Sequence, residues 1–161
     1  MITRRFALLA GAAATALAAA GPVLAGGVGV TLNADESGLM LKGYDPVAYF
    51  TEDAAVKGSD AFSAQHEGVT YHFASAGNRD AFLAEPAKYA PAFGGYCAMG
   101  TAMGLKLDTD PELFRVVEGT LYLNVAKPAQ DRWLEDVPGN IAKANAKWQE
   151  IQDIPASELQ P

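Results

Sequence analysis

The sequence predicts an α+β fold: a small single domain with two β-hairpins and several short helices. Three observations predict it. Phe62, Ala64 and His66 alternate before Glu67-Gly68, and Val69, Tyr71 and Phe73 alternate after it, the period-two pattern of strands joined by a tight turn. Residues 113–117 and 121–125 repeat that arrangement around Glu118-Gly119. In residues 138–151, Ile141, Ala144 and Trp148 recur at helical spacing.

Each element can be justified in chain order. Residues 1–25 read as a cleaved export signal: Arg4 and Arg5 form a basic start, residues 7–20 are apolar and small, and Val23-Leu24-Ala25 is a small-residue cleavage site. Thr3-Arg4-Arg5-Phe6 points to the twin-arginine route, with Sec export as the alternative because Ala7 stands where that motif usually has Phe. The expected location is the periplasm, with no stable membrane anchor after cleavage. Residues 26–42 form a lead-in segment that leans to β at 28–32. In LKGYDPVAYF, Asp45 is set to cap a short helix and Pro46 to open it. After the first hairpin, Ser75 caps a helix with Phe82 and Leu83 on its apolar side. Pro86 ends that helix and opens a further turn, where Tyr89 and Phe93 are four apart. Residues 96–103 have room for two helical turns between glycines. Residues 108–111 form a turn before the second hairpin. Residues 128–134 and 138–151 close the fold as helices. The domain proper spans 43–151, and 152–161 is expected as a flexible tail.

The 161 residues carry 12 Lys and Arg against 19 Asp and Glu. Loss of Arg4 and Arg5 leaves ten basic residues against nineteen acidic ones. Such a surface repels phosphate backbones, so nucleic acid is not an expected partner. Cys97 is the only cysteine and has no internal disulfide partner. In an oxidising compartment it must be buried, bound or used.

GYDPVAYF, then TYHFASAGNRDAFLAEPAKYAPAFGGYCAMG, then GTLYLN and a closing helix with Trp148 resemble the YHS-domain family, and within it the exported single-domain branch. The resemblance spans residues 43–148. It implies a small α+β module related to treble-clef-like metal-sensing domains. In members from metal-transport ATPases, cysteines follow the Asp-Pro-Val, follow the Tyr-x-Phe, and sit a few residues into the next helix. Here those positions read Ala48, Ala74 and Asn78. A cysteine-rich metal site therefore does not carry over.

The remaining soft donors are Cys97, Met99 and Met103 in FGGYCAMGTAMG, with His72 and His66. Thiolate, thioether and imidazole together suit copper. Met99 and Met103 share a helix face, whereas Cys97 and Met99 do not. The expected metal set is Cys97, His72, Met99 and Met103; the competing expectation is that the methionines fill core and Cys97 packs as a small hydrophobe. Cys97 with His72 is also the one pair fit for a thiol nucleophile, although no orienting group accompanies it and no phosphate loop, serine elbow or HExxH is present. A metal-free module would use Tyr44, Asp45 and Tyr96 to hold a small ligand, with Asp45 and Arg79 as polar anchors or as partners of each other. The sequence thus predicts a periplasmic binding or accessory protein with a soft metal, copper, near Cys97. The alternative is a metal-free small-ligand or protein-partner module, and a thiol-dependent enzyme comes third. No particular protein partner is indicated.

Overall fold

A computed structural model describes residues 30–161, so the expected export signal at 1–25 lies outside the described residues. The fold is α+β, and among the described residues it has two separate antiparallel two-stranded sheets and six α-helices. The first sheet pairs β1 (Ser59–His66) with β2 (Val69–Phe73), and the second pairs β3 (Asp110–Val117) with β4 (Thr120–Asn124). Both hairpins turn through a Glu-Gly pair. Glu67 and Gly68 have φ of 52° and 82°, and Glu118 and Gly119 have 49° and 76°. Two successive left-handed residues match the twist of the flanking strands. Both long strands carry an irregularity, β1 between Ser59 and Ser63 and β3 between Asp110 and Phe114. That irregularity lets β3 start at Asp110, inside the expected turn.

The helices are α1 (Ala48–Thr51), α2 (Ala76–Ala84), α3 (Pro86–Tyr89), α4 (Ala98–Ala102), α5 (Lys127–Glu135) and α6 (Val137–Ile151). Ser75 accepts from the Asn78 amide and starts α2, as its capping chemistry requires. Pro86 opens α3, whose first N–H would have no partner in any case. Cys97 plays the capping role for α4: its Sγ accepts from the Gly100 amide at 3.3 Å.

Apolar burial falls into two clusters. The first joins Met40, Leu41, Val47, Tyr49, Tyr71, Phe73 and Phe82 to Leu121 and Leu123 of β4. The second gathers Phe93, Cys97, Ala98, Met99, Tyr122, Trp133 and Ala144 beneath α4. β4 feeds both, because alternate residues of one strand point to opposite faces. The lead-in crosses the domain and docks on the Phe93–Gly95 turn, where the Asn33 amide donates to the Gly94 carbonyl. It then joins β2 through the Met40 amide and the Thr70 carbonyl. At the other end, residues 156–158 form a 3-10 turn. The Leu159 carbonyl accepts from the Lys106 amide, and the Gln160 side chain donates to the Lys106 carbonyl. The segment expected as a flexible tail thus carries specific bonds to the domain.

Candidate functional site

Four side chains formed the expected metal set, and the structure brings two of them together. Cys97 and Met99 share the second core cluster, 0% and 6% exposed. Met103 follows α4 with 53% of its surface exposed, its sulfur 3.8 Å from an Arg132 nitrogen. His72 belongs to the first hairpin, opposite Ser63, and its Nδ1 lies against Gly43. It is on the face of β2 away from Tyr71 and Phe73, under the Leu41–Gly43 turn. His66, the other imidazole, stands edge-on to Phe82. Among the described residues, no three His, Cys, Asp or Glu side chains cluster as a metal would need.

The sulfur of Cys97 is held by backbone. Sγ accepts from the amides of Gly100 and Val125, both at 3.3 Å, and its S–H faces Asn124 Oδ1 at 3.6 Å. Burial pushes the thiol pKa up, and the amide bonds offset part of that rise. Asn124 Oδ1 also accepts from the Met99 amide, which fixes the orientation of the side-chain amide. Its Nδ2 is buried without a partner, as are Thr101 Oγ1 on α4 and Trp133 Nε1 on α5.

The expected ligand-binding residues have separate fates. Tyr96 is 3% exposed, and the Lys106 ammonium sits 5.4 Å from its ring and 5.1 Å from that of Trp148. Lys106 is fully buried and donates to the carbonyls of Val30, Gln152 and Ile154 at 2.6 to 2.7 Å. Tyr96 is thus one wall of an aromatic box that the chain fills with its own lysine. Asp45 is also fully buried. Its Oδ1 accepts from the Val47 amide at 2.8 Å and the Ala48 amide at 3.4 Å. Its Oδ2 accepts from the Ala74 amide at 2.8 Å and from Asn78 Nδ2 at 2.7 Å. The helix itself begins at Ala48 with Val47 at its cap position, two residues later than the expected Asp45 cap and Pro46 start. Arg79, the other suggested anchor, pairs with Asp80 instead.

Tyr44 is different, because it lines a cleft of about 410 Å³. The cleft runs between the Leu41–Gly43 turn and the start of β3, walled by Lys42, Lys57, Asp108 and Asp110. A volume of this order suits a small molecule. Leu41 and Lys42 both have positive φ, 54° and 51°, a conformation that costs roughly 1–3 kcal/mol at each non-glycine residue. The Lys42 ammonium holds the turn by donating to the Thr109 carbonyl at 2.7 Å and pairing with Asp108 at 2.9 Å. Asn33 and Lys42 donate to Asp108 and keep its carboxyl below the usual range, against the desolvation that would raise it. Lys57 lies over the Tyr44 ring at 4.3 Å, and the Tyr44 hydroxyl donates to Glu112. Among the described residues, Lys57 and Asp110 have no ion-pair partner: Lys57 donates to the Lys42 carbonyl at 2.9 Å and Asp110 accepts from the Glu112 amide at 3.0 Å, so one cation and one anion face this cleft without a counter-charge. Lys42 and Lys57 carry no signal in the sequence, and the paired carboxylates Asp108 and Asp110 read there as capping groups of a turn. The four come from three segments that only the fold brings together, and no local pattern marks them as a site.

Set against known proteins, residues 47–93 match the family model described as YHS domain. No curated protein and no solved structure matches the chain. The match runs from the residue before α1 to the Phe93 turn, and it contains Ala48, Ala74 and Asn78 but neither Cys97 nor most of the Tyr44 cleft. YHS domains are regarded as metal-binding domains, and residues 47–93 of this chain are similar to that domain.

Proposed function

We propose that this is an exported, periplasmic binding or accessory protein whose ligand enters the Tyr44 cleft. The observation that carries the reading is a pair of opposite charges without counter-ions there: Lys57 and Asp110 line one cleft with Tyr44, whose ring lies under the Lys57 ammonium. A zwitterionic small molecule, such as a free amino acid, satisfies both at once. A ligand of one sign leaves one of the two charges without a counterpart. Amide chemical-shift titration with glutamine, succinate and cadaverine tests this. The expected result is saturable shifts at Tyr44, Lys57 and Asp110 with glutamine, lost in Tyr44→Ala. Shifts there with succinate or cadaverine alone overturn the ligand class, and shifts with none of the three overturn the cleft as the binding site.

A second reading places a soft metal at Cys97. One observation favours it: a thiol and a thioether, Cys97 and Met99, lie in the same buried cluster, a donor pair that selects Cu(I). A Cu(I) titration of residues 26–161 beside Cys97→Ala decides it. One-to-one binding that disappears in the variant supports copper handling, and equal behaviour of the two proteins removes it.

A further inference from the structure

The family's metal and this chain's residues disagree, and the disagreement has a definite shape. The three positions at which the resemblance places metal-binding cysteines are far apart in sequence, yet all three meet one carboxylate. The Ala48 amide reaches Asp45 Oδ1, while the Ala74 amide and the Asn78 side chain reach Oδ2. Two alanine side chains offer a metal no donor atom, and the Asn78 amide nitrogen has its lone pair delocalised and one hydrogen donated to Asp45. This donor set does not fit a soft or borderline metal.

We infer that Asp45 has taken over the structural task of the absent metal: a buried anion gathers N–H donors where a cation would gather thiolates. The polarity of the site is inverted and its connectivity kept. A metal held by cysteines at positions 48, 74 and 78 would tie the start of α1 to the end of β2 and the first turn of α2. Here the same three segments converge on Asp45, whose carboxylate is 0% exposed and compensated by four N–H donors rather than by a cation. Asp45 also faces the start of α2, whose free amides and positive dipole end favour a negative charge. The fold of residues 47–93 is therefore independent of metal, and the old seat is regenerable by restoring thiols.

The test is a Co(II) titration of the whole mature chain, 26–161, as wild type and as Ala48→Cys/Ala74→Cys/Asn78→Cys. Expected are thiolate-to-cobalt absorption in the variant, none in the wild type, and a wild-type thermal midpoint unchanged by prolonged chelation. Ala48 is fully buried, so a sulfur there can overpack the site. Should the triple variant not fold, Ala74→Cys/Asn78→Cys takes the same titration and is read the same way. A folded variant with no cobalt–thiolate absorption overturns the inference. So does a wild-type midpoint that drops on chelation and recovers with zinc.

Discussion

In the metal-free protein Cys97 is chemically quiet because its surroundings favour the neutral thiol. The side chain is fully buried and its sulfur already accepts two backbone amides. Desolvation raises its pKa above the ordinary thiol value, so the folded state holds its proton at a pH where the unfolded chain has released it. Stability from this group is complete below the unfolded thiol pKa and is lost as pH rises through the folded one. We expect a thiol reagent at pH 8 to label Cys97 only as fast as the protein unfolds globally. We also expect denaturant midpoints to begin falling just alkaline of the ordinary thiol range, with Cys97→Ala removing that first fall. The phenols add a later fall of the same sign: burial pushes Tyr96 up to about 12, and Tyr49 and Tyr71 higher still. Labelling of the native protein in seconds would contradict this account. Asp45 gives the opposite kind of residue, a buried charge whose value lies in its donors. Asp45→Ala leaves the Ala74 amide and the Asn78 side chain without an acceptor, and the expected loss in urea denaturation is about 3 kcal/mol or more.

Among the elements, the Phe93–Gly95 turn depends most on one missing atom. Gly94 has φ of +60°, and a Cβ built there would stand 1.8 Å from the Thr31 carbonyl oxygen of the lead-in. Gly68 also has positive φ, +82°, but a Cβ there meets nothing within 4 Å. Comparing Gly94→Ala with Gly68→Ala therefore separates the cost of backbone conformation from the cost of close approach. Gly68→Ala is expected to lose about 1–2 kcal/mol, the left-handed penalty alone. Gly94→Ala is expected to lose at least about 2 kcal/mol more, because the lead-in must lift off the turn. Equal urea midpoints for the two variants would mean that the lead-in contributes nothing to the fold. Much of this level was readable in advance. The alternation around Glu67-Gly68 and the two apolar runs joined at Glu118-Gly119 located both hairpins, and Ser75 and Pro86 marked two helix starts, because these signals act within four residues. Lys106 was not readable. In Leu105-Lys106-Leu107 it looks like a solvated side chain of a strand, and only carbonyls from residues 30, 152 and 154 make it a buried one. The candidate site divides in the same way: Asp45 as an acceptor for the amides just after it was local and legible, whereas its bonds to residues 74 and 78 and the meeting of Tyr44 with Asp108 and Asp110 are long-range.

For the whole molecule, the boundary of the family match and the boundary of the folding unit differ. Residues 47–93 hold Val47, Tyr49, Tyr71, Phe73 and Phe82, but Met40, Leu41, Leu121 and Leu123 complete that same cluster from outside the match. The Tyr49 hydroxyl donates to the Pro111 carbonyl at 2.9 Å, and its ring meets Phe114 at 4.7 Å, both contributed by β3. Removing Leu121 and Leu123 alone withdraws two fully buried leucines, each worth roughly 1.5–3 kcal/mol of burial. A 47-residue piece has little stability to lose, since chains of this size bury too small a share of their surface. We expect residues 47–93 expressed alone to give a collapsed amide spectrum and no cooperative thermal transition. Residues 30–161 are expected to give a dispersed spectrum and a single transition, because both core clusters and the Lys106 tie between the lead-in and residues 152–154 are then intact. A fragment of 47–93 that melted cooperatively would show that the Asp45 hub and the first hairpin suffice as a core. The second cluster around Cys97 would then be a separable addition, and a ligand in the Tyr44 cleft would bridge two units instead of binding within one.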